Sequence, residues 1–185
     1  WSPTFTYLYL PQLDEMVHRK GTGDVDVHQL LFSLDGQFSK LARVLGGRAR
    51  LVITSDHGLA DVTEDRRFVL PEDDPLRAHL VCRPTGEPSV PIFHVHEGHE
   101  EVFRGEFAER FGEFYALLTP HELAGLALLG PDPLSSAMTR RLGTFVGIAP
   151  DPTVLAIAPC RGAAKHIGIH GGLTPAEMRI PLILA

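Results

Sequence analysis

Cysteine, lysine and long apolar runs are all scarce in this chain of 185 residues. Its two cysteines, Cys82 and Cys160, lie far apart and in no metal-like spacing, so they demand neither a disulfide framework nor a zinc ribbon. Positive charge is in deficit, 17 Lys and Arg against 23 Asp and Glu. The resulting net charge of -6 argues against an electrostatic nucleic-acid binder, which is normally basic, and leaves room for sites that hold cations. No apolar stretch approaches the ~20 residues of a membrane helix. There is no secretory signal, an absence that leaves the compartment open between cytoplasmic and exported. Nor is there an initiator methionine, since "WSPTFTYLYL" begins directly in a strand-like pattern. The expectation is a piece whose natural beginning lies upstream; oligomeric state is not legible.

What is present is ordinary for a soluble globular protein, with 44% hydrophobic and 22% charged residues. That is enough for one core, or one domain with a sizeable insertion. Residues 4–10 are aromatic and apolar enough for a strand stopped by Pro11. Over residues 29–45 apolar side chains recur at Leu30, Leu34, Phe38, Leu41 and Leu45, predicting a helix that Gly46 and Gly47 end. "ARLVITS" then reads as a strand buried on both faces of a parallel sheet, and strand–helix–strand order favours an α/β fold. Further on, "AHLVCRP" and "PIFHVH" read as strands joined by a Pro-Gly turn. Residues 103–118 read as an amphipathic helix, and "TPHELAGL" as a helix opened by a capping box. "TFVGIAP" and "TVLAIAP" resemble a hairpin, and "MRIPLILA" a closing strand. The expected organisation is a core segment over residues 1–67, an inserted mixed α+β lid over 68–159, and a closing core segment over 160–185.

Three places carry metal-ligand residue types. In "LPQLDEMVHRKG", Asp14 and His18 stand four apart, which on a helical turn puts both on one face; taken alone, such a pair is more often an ordinary exposed one. In "LVITSDHGLAD", Asp56 and His57 fall just past a strand's carboxyl end, where α/β sheets bind ligands. A carboxylate with an imidazole suits zinc or a similar divalent ion. Gly58 would let the backbone turn away sharply. The plain alternative makes Asp56 a cap and His57 a surface residue. In "HIGIHGGLTPAEMRIP", His170 precedes two glycines and a capping box at Thr174 to Glu177, and otherwise is a loop histidine without a partner.

Together, "YLPQLDEMVHRKG", "VITSDHGLADV" and "HGGLTPAEMRIPLI" resemble the later metal-binding blocks of the alkaline phosphatase superfamily, and its type I phosphodiesterase/nucleotide pyrophosphatase branch in particular. The resemblance extends more loosely through "LALLGP" and "RLGTFVGIAP". It implies an α/β/α sandwich, here its C-terminal portion, with an inserted lid. Asp14, His18 and His170 would hold one zinc ion, and Asp56 and His57 would belong to a second. The family's Thr or Ser nucleophile and one further Asp ligand have no matching position here and are expected upstream of residue 1. The implied reaction is a two-metal, in-line hydrolysis of a phosphodiester or pyrophosphate in a small phosphate ester or nucleotide. Carboxylate and imidazole ligands also fit manganese. Two other readings stand beside this one. The first is a phosphomonoesterase, phosphonate hydrolase or manganese-dependent phosphomutase of the same superfamily, and the second a non-catalytic metal-binding fragment or scaffold.

Several lesser signals have plainer readings. His94, His96 and His99 in "HVHEGHEE" read as an exposed lid hairpin with incidental metal affinity. His166 is a candidate to orient a ligand. Thr54 and Ser55 read as structural, and Lys165 as a solvated loop residue. Arg66-Arg67, Arg140-Arg141 and Glu72 to Asp74 read as solvated faces. Phe103, Phe107, Phe111 and Phe114, at helical spacing, read as core.

Overall fold

The computed structural model describes residues 3–159 and 165–185; Cys160 lies outside the described residues. The chain enters through an exposed segment that pairs with no strand, so the expected strand over residues 4–10 does not form. A strand needs a neighbour to satisfy its backbone groups, and none flanks this segment among the described residues. Helix α1 (Gln12–Lys20) follows, with Pro11 as its N-cap and the carboxylates Asp14 and Glu15 in its first turn, where they favour the helix dipole. Helix α2 (Val25–Leu45) begins four residues earlier than its apolar pattern predicts. Asp24 caps it by accepting from Asp26 N, and Gly46 ends it in the left-handed region at φ 53°.

Strand β1 (Val52–Thr54) is paired antiparallel with β10 (Leu182–Leu184), and both are largely exposed. The expected doubly buried parallel strand is corrected here, because no parallel neighbour flanks β1 among the described residues. Strand β2 (Ala60–Asp61) pairs antiparallel with β9 (Gly168–Ile169). The parallel ladder is β3 (Arg67–Leu70) with β8 (Val154–Ile157). A four-stranded antiparallel sheet, ordered β4-β5-β7-β6, is built from β4 (Thr85–Glu87), β5 (Val90–Phe93), β6 (Ala116–Leu118) and β7 (Phe145–Ile148).

Several expected elements change. "AHLVCRP" is no strand: a 3-10 turn (Pro75–His79) leads to a lone bridge between Leu80 and Val95. The two "AIAP"-type segments form no hairpin, since β7 joins the four-stranded sheet while β8 pairs with β3. The helix predicted over 103–118 is α3 (Glu100–Phe111), which stops at Gly112, and its last residues become β6. The helix at "TPHELAGL" is α4 (Pro120–Gly125) with a complete Thr119–Glu122 capping box, and α5 (Ser136–Arg141) precedes β7.

Phenylalanine spacing explains the main core. Phe103, Phe107 and Phe111 fall on one face of α3 and pack with Phe93, Tyr115, Phe145, Leu155 and Ile157. Each fully buried side chain of this size stabilises by ~1.5–3 kcal/mol. A smaller cluster of Val62, Val154 and Ile169 ties the β2–β9 pair to β8. It fixes the short strands that flank the ligand-type residues onto β8, whose Leu155 and Ile157 belong to the larger core.

Candidate metal centre

Asp14 and His18 stand on one face of α1, with His18 Nε2 3.4 Å from Asp14 Oδ1. His18 is held by its backbone and its ring together. Its carbonyl accepts from Ile167 N at 2.7 Å, and its Nδ1 donates to Gly168 O at 2.8 Å. With Nδ1 occupied as donor, the lone pair sits on Nε2, the nitrogen that faces Asp14. Gly168 has to be glycine for this approach, since a Cβ there would lie 2.6 Å from Val17 Cγ1 and 3.0 Å from Val17 O.

His170 follows β9 directly and meets the same point. One ligand atom from each of Asp14, His18 and His170 lies within 4.8 Å of the others. Ser89, fully buried, donates to His170 O at 2.9 Å and pins the backbone at this residue. The next residue, Gly171, has φ 97° and turns the chain away. The helix that follows, α6 (Pro175–Met178), is capped by Thr174, whose Oγ1 accepts from Glu177 N. The second half of the expected box is different: buried Glu177 accepts from Gly172 N and Thr174 Oγ1.

Asp56 and His57 lie in the loop between β1 and β2. His57 stacks on His170, ring centroids 3.7 Å apart, and its Nε2 is 3.6 Å from Asp56 Oδ1. Its Nδ1 donates to Gly58 O at 3.0 Å, so this ring too turns Nε2 outward as acceptor. Gly58 is needed for close approach rather than for a sharp turn. A Cβ there would sit 2.0 Å from Ala176 O, and Gly58 N donates to Glu177 O at 2.7 Å. The loop bearing His57 is thereby docked on α6, which follows His170.

The imidazoles form a row. His166 stacks on His18 at 4.1 Å, His18 lies 5.2 Å from His170, and His170 stacks on His57. Burial first, and His57 next, push the His170 pKa below the usual imidazole value. Burial and then His18 do the same for His166. Neutral imidazole is the form that binds a metal. The fit to a cation is sharpest at Asp14. Its Oδ1 is buried and accepts no hydrogen bond among the described residues, and a buried carboxylate oxygen without a donor is costly unless a cation meets it.

Arg67, assigned to a solvated face by the sequence pattern, is a positioning residue instead. Its side chain is 12% exposed, and its guanidinium donates to His166 O at 2.6 Å and to Val62 O at 3.3 Å. Asp74, also expected in a solvated run, is buried and paired twice with Arg110 at 2.7 Å. The one local hint was Pro75, which makes Asp74 the cap of a tight turn. Thr54 Oγ1 donates to Pro181 O at 2.9 Å, in keeping with its structural reading.

Solved structures give the class. Human ectonucleotide pyrophosphatase/phosphodiesterase 5 matches with a TM-score of 0.71 at 17% identity, over 92% of this chain and 44% of that one. The murine protein matches with a TM-score of 0.67 at 17% identity, over 91% and 44%. An inactive murine variant, solved in complex with AMP, gives 0.64 at 16% identity over the same shares. The fold is therefore a partial alkaline-phosphatase-like α/β fold, and the chain spans less than half the length of these proteins. The chain belongs to the type I phosphodiesterase / nucleotide pyrophosphatase family, which it matches over residues 2–157. His170 lies beyond that match, so its place beside Asp14 and His18 rests on the geometry. No curated protein sequence matches the chain.

Proposed function

We propose that this chain is a portion of a metal-dependent hydrolase that cleaves phosphodiester or pyrophosphate bonds in a small phosphate ester or nucleotide. The observation that carries the proposal is the convergence of Asp14, His18 and His170, within 4.8 Å, on a buried Asp14 oxygen that has no donor among the described residues. Membership of the phosphodiesterase family supports the reaction class. The AMP complex of a structural relative supports a nucleotide-sized substrate.

In this reading Asp14, His18 and His170 hold one divalent ion, and Asp56 and His57 contribute to a second. Zinc is the ion proposed, and manganese the alternative for the same ligands. Bound there, such ions neutralise phosphate charge and lower the pKa of a hydroxyl nucleophile. The chain's own residues prepare the site. Gly168 O and Gly58 O hold the Nδ1 protons of His18 and His57, so each ring offers Nε2. Stacking of His57 on His170 fixes two rings at once. The nucleophile and the remaining aspartate are not assigned to any residue here, and turnover is proposed of the whole protein. The division into core segments 1–67 and 160–185 around a lid at 68–159 belongs to the same proposal; the β3–β8 ladder, near both boundaries of that lid, supports it.

Metal content tests it directly. Elemental mass spectrometry of the purified chain should find zinc or manganese, with one ion fewer in each of Asp14→Ala and His170→Ala. An unchanged number of ions in both variants would overturn the shared site. Assay of the whole protein on diester and monoester substrates then separates a phosphodiesterase from a monoesterase of the same superfamily. A metal-loaded protein inert on both would favour a non-catalytic scaffold.

A further inference from the structure

A second group of imidazoles lies outside this centre and is assembled from other elements. His79 ends the 3-10 turn Pro75–His79, His96 lies in the turn after β5, and His99 is the N-cap residue of α3. Backbone bonds hold the three in place. His96 N donates to His79 O at 2.9 Å and His99 N to His96 O at 3.0 Å, beside the Leu80–Val95 bridge. His94, which the sequence pattern grouped with His96 and His99, is turned instead toward Gly143. His79, 17 or more residues away in sequence, takes its place.

The ring nitrogens are arranged as ligands. His79 Nδ1 faces His99 Nδ1 at 3.1 Å, while His79 Nε2 lies 3.4 Å from Glu106 Oε2 on α3. A neutral imidazole has one N–H and one lone pair. In the tautomer protonated at Nε2, on the side of Glu106, His79 presents its Nδ1 lone pair to His99, and the N–H of the ring–ring hydrogen bond is given up when both nitrogens bind one ion. Nitrogens bound to one tetrahedral zinc at 2.0–2.1 Å stand about 3.3 Å apart, so the observed pair is already at ligand spacing. A carboxylate on the far nitrogen is also the usual partner of a metal-bound histidine. The His96 ring lies 5.9 Å from that of His99. It is exposed and would have to turn about its side-chain bonds to bring a third nitrogen to the pair. The positive end of the α3 dipole opposes a cation here, and Glu100 and Glu101 in its first turn offset that.

We propose that His79, His96 and His99 bind one transition-metal ion of the zinc type, with Glu106 orienting His79. An all-imidazole donor set selects zinc, cobalt or nickel over magnesium and calcium, which take oxygen ligands. The ion would tie the start of α3 to one end of the 3-10 turn. The other end of that turn is already clamped to α3 by the doubly bonded Asp74–Arg110 pair. The site is thus a metal staple for this helix, separate from the phosphoryl-transfer chemistry.

The test is zinc stoichiometry. The purified chain is stripped with a chelator, reloaded with zinc chloride, and passed through gel filtration in metal-free buffer before elemental analysis. His99→Ala should retain one zinc ion fewer than the unsubstituted chain, and Glu106→Gln should weaken that ion's affinity 10–100-fold in chelator competition. In the double variant Asp14→Ala/His99→Ala the two losses should add, which separates this site from the centre on α1. His96 and His99 are exposed, so either substitution leaves the core intact, and circular dichroism verifies it. A folded His99→Ala with unchanged stoichiometry, or an ion that gel filtration removes from the unsubstituted chain, would overturn the proposal.

Discussion

Gly58→Ala is the substitution that most directly probes how the centre is assembled. The added methyl would lie 2.0 Å from Ala176 O, 3.1 Å from Ala176 C and 3.2 Å from Arg179 O. All three are backbone atoms, so no flexible side chain can swing aside. Either α6 or the loop of residues 55–59 must move. The bond from Gly58 N to Glu177 O, 2.7 Å, is then stretched or lost. Overpacking of this kind costs about 1–3 kcal/mol, and rigid backbone on the far side puts this case at the upper end. A loss of ~3 kcal/mol corresponds to a fall in Tm of roughly 6–12 °C for a chain of this length. The movement also separates His57 from His170, whose rings now stack at 3.7 Å, so metal retention should fall together with Tm. Gly36→Ala is the internal control. Nothing lies within 4 Å of a Cβ at Gly36 in α2, and alanine there should stabilise by ~1 kcal/mol. Thermal unfolding and elemental analysis on the three proteins decide it. If Gly58→Ala melts with the unsubstituted chain and keeps its metal, the docking of this loop on α6 is not what builds the centre.

Asp74→Asn should lower stability by about 2–3 kcal/mol near neutral pH, less than a fully buried pair because Arg110 is a third exposed. The Arg110 hydrogen bonds hold the Asp74 carboxyl below its ordinary value of 3.8. The contribution is therefore complete above that value and is lost as pH falls through the lower, folded-state one. Urea midpoints of the two proteins should differ at pH 6 and converge as pH drops below about 4; a constant gap would refute the assignment. Arg67→Ala should leave the carbonyls of Val62 and His166 without their donor, at about 1–3 kcal/mol. It should also weaken metal retention about tenfold by loosening the segment that holds His18. A variant that loses stability with no change in chelator competition would limit Arg67 to a structural role.

The residues legible in the sequence were those whose chemistry is local. Asp14 and His18 are four apart on one helix, so a single rule places both on one face. The α3 phenylalanines repeat at helical spacing and do form the core. The capping box at Thr119 needs only four residues and forms as read. Failures came where a partner far along the chain decides the outcome. β7 and β8 are similar neighbours in sequence, yet one joins β5 and β6 and the other β3. Residues 112–118 continue the apolar pattern of α3, but Gly112 ends the helix and pairing with β7 makes 116–118 a strand. Arg67 and Asp74 look like members of solvated charge runs. Only the folded chain brings the carbonyl of His166 to the first and Arg110 to the second.

The same distinction explains why a pattern could offer candidate ligand residues but could not bring them together. A motif supplies ligand types; it does not orient a ring. Orientation here comes from one ring-to-backbone bond and three backbone bonds between segments more than a hundred residues apart. Gly168 O takes the His18 proton and His18 O takes Ile167 N, which locks α1 to β9. Gly58 N reaches Glu177 O, which locks the β1–β2 loop to α6, and Leu51 N reaches Ala185 O beyond the β1–β10 ladder. At two of these contacts, Gly58 and Gly168, glycine is what lets the backbones approach. The glycines flanking the histidines are thus as much a part of the candidate centre as the ligand-type residues. Substituting either should spread the imidazole row while leaving every ligand-type side chain in place.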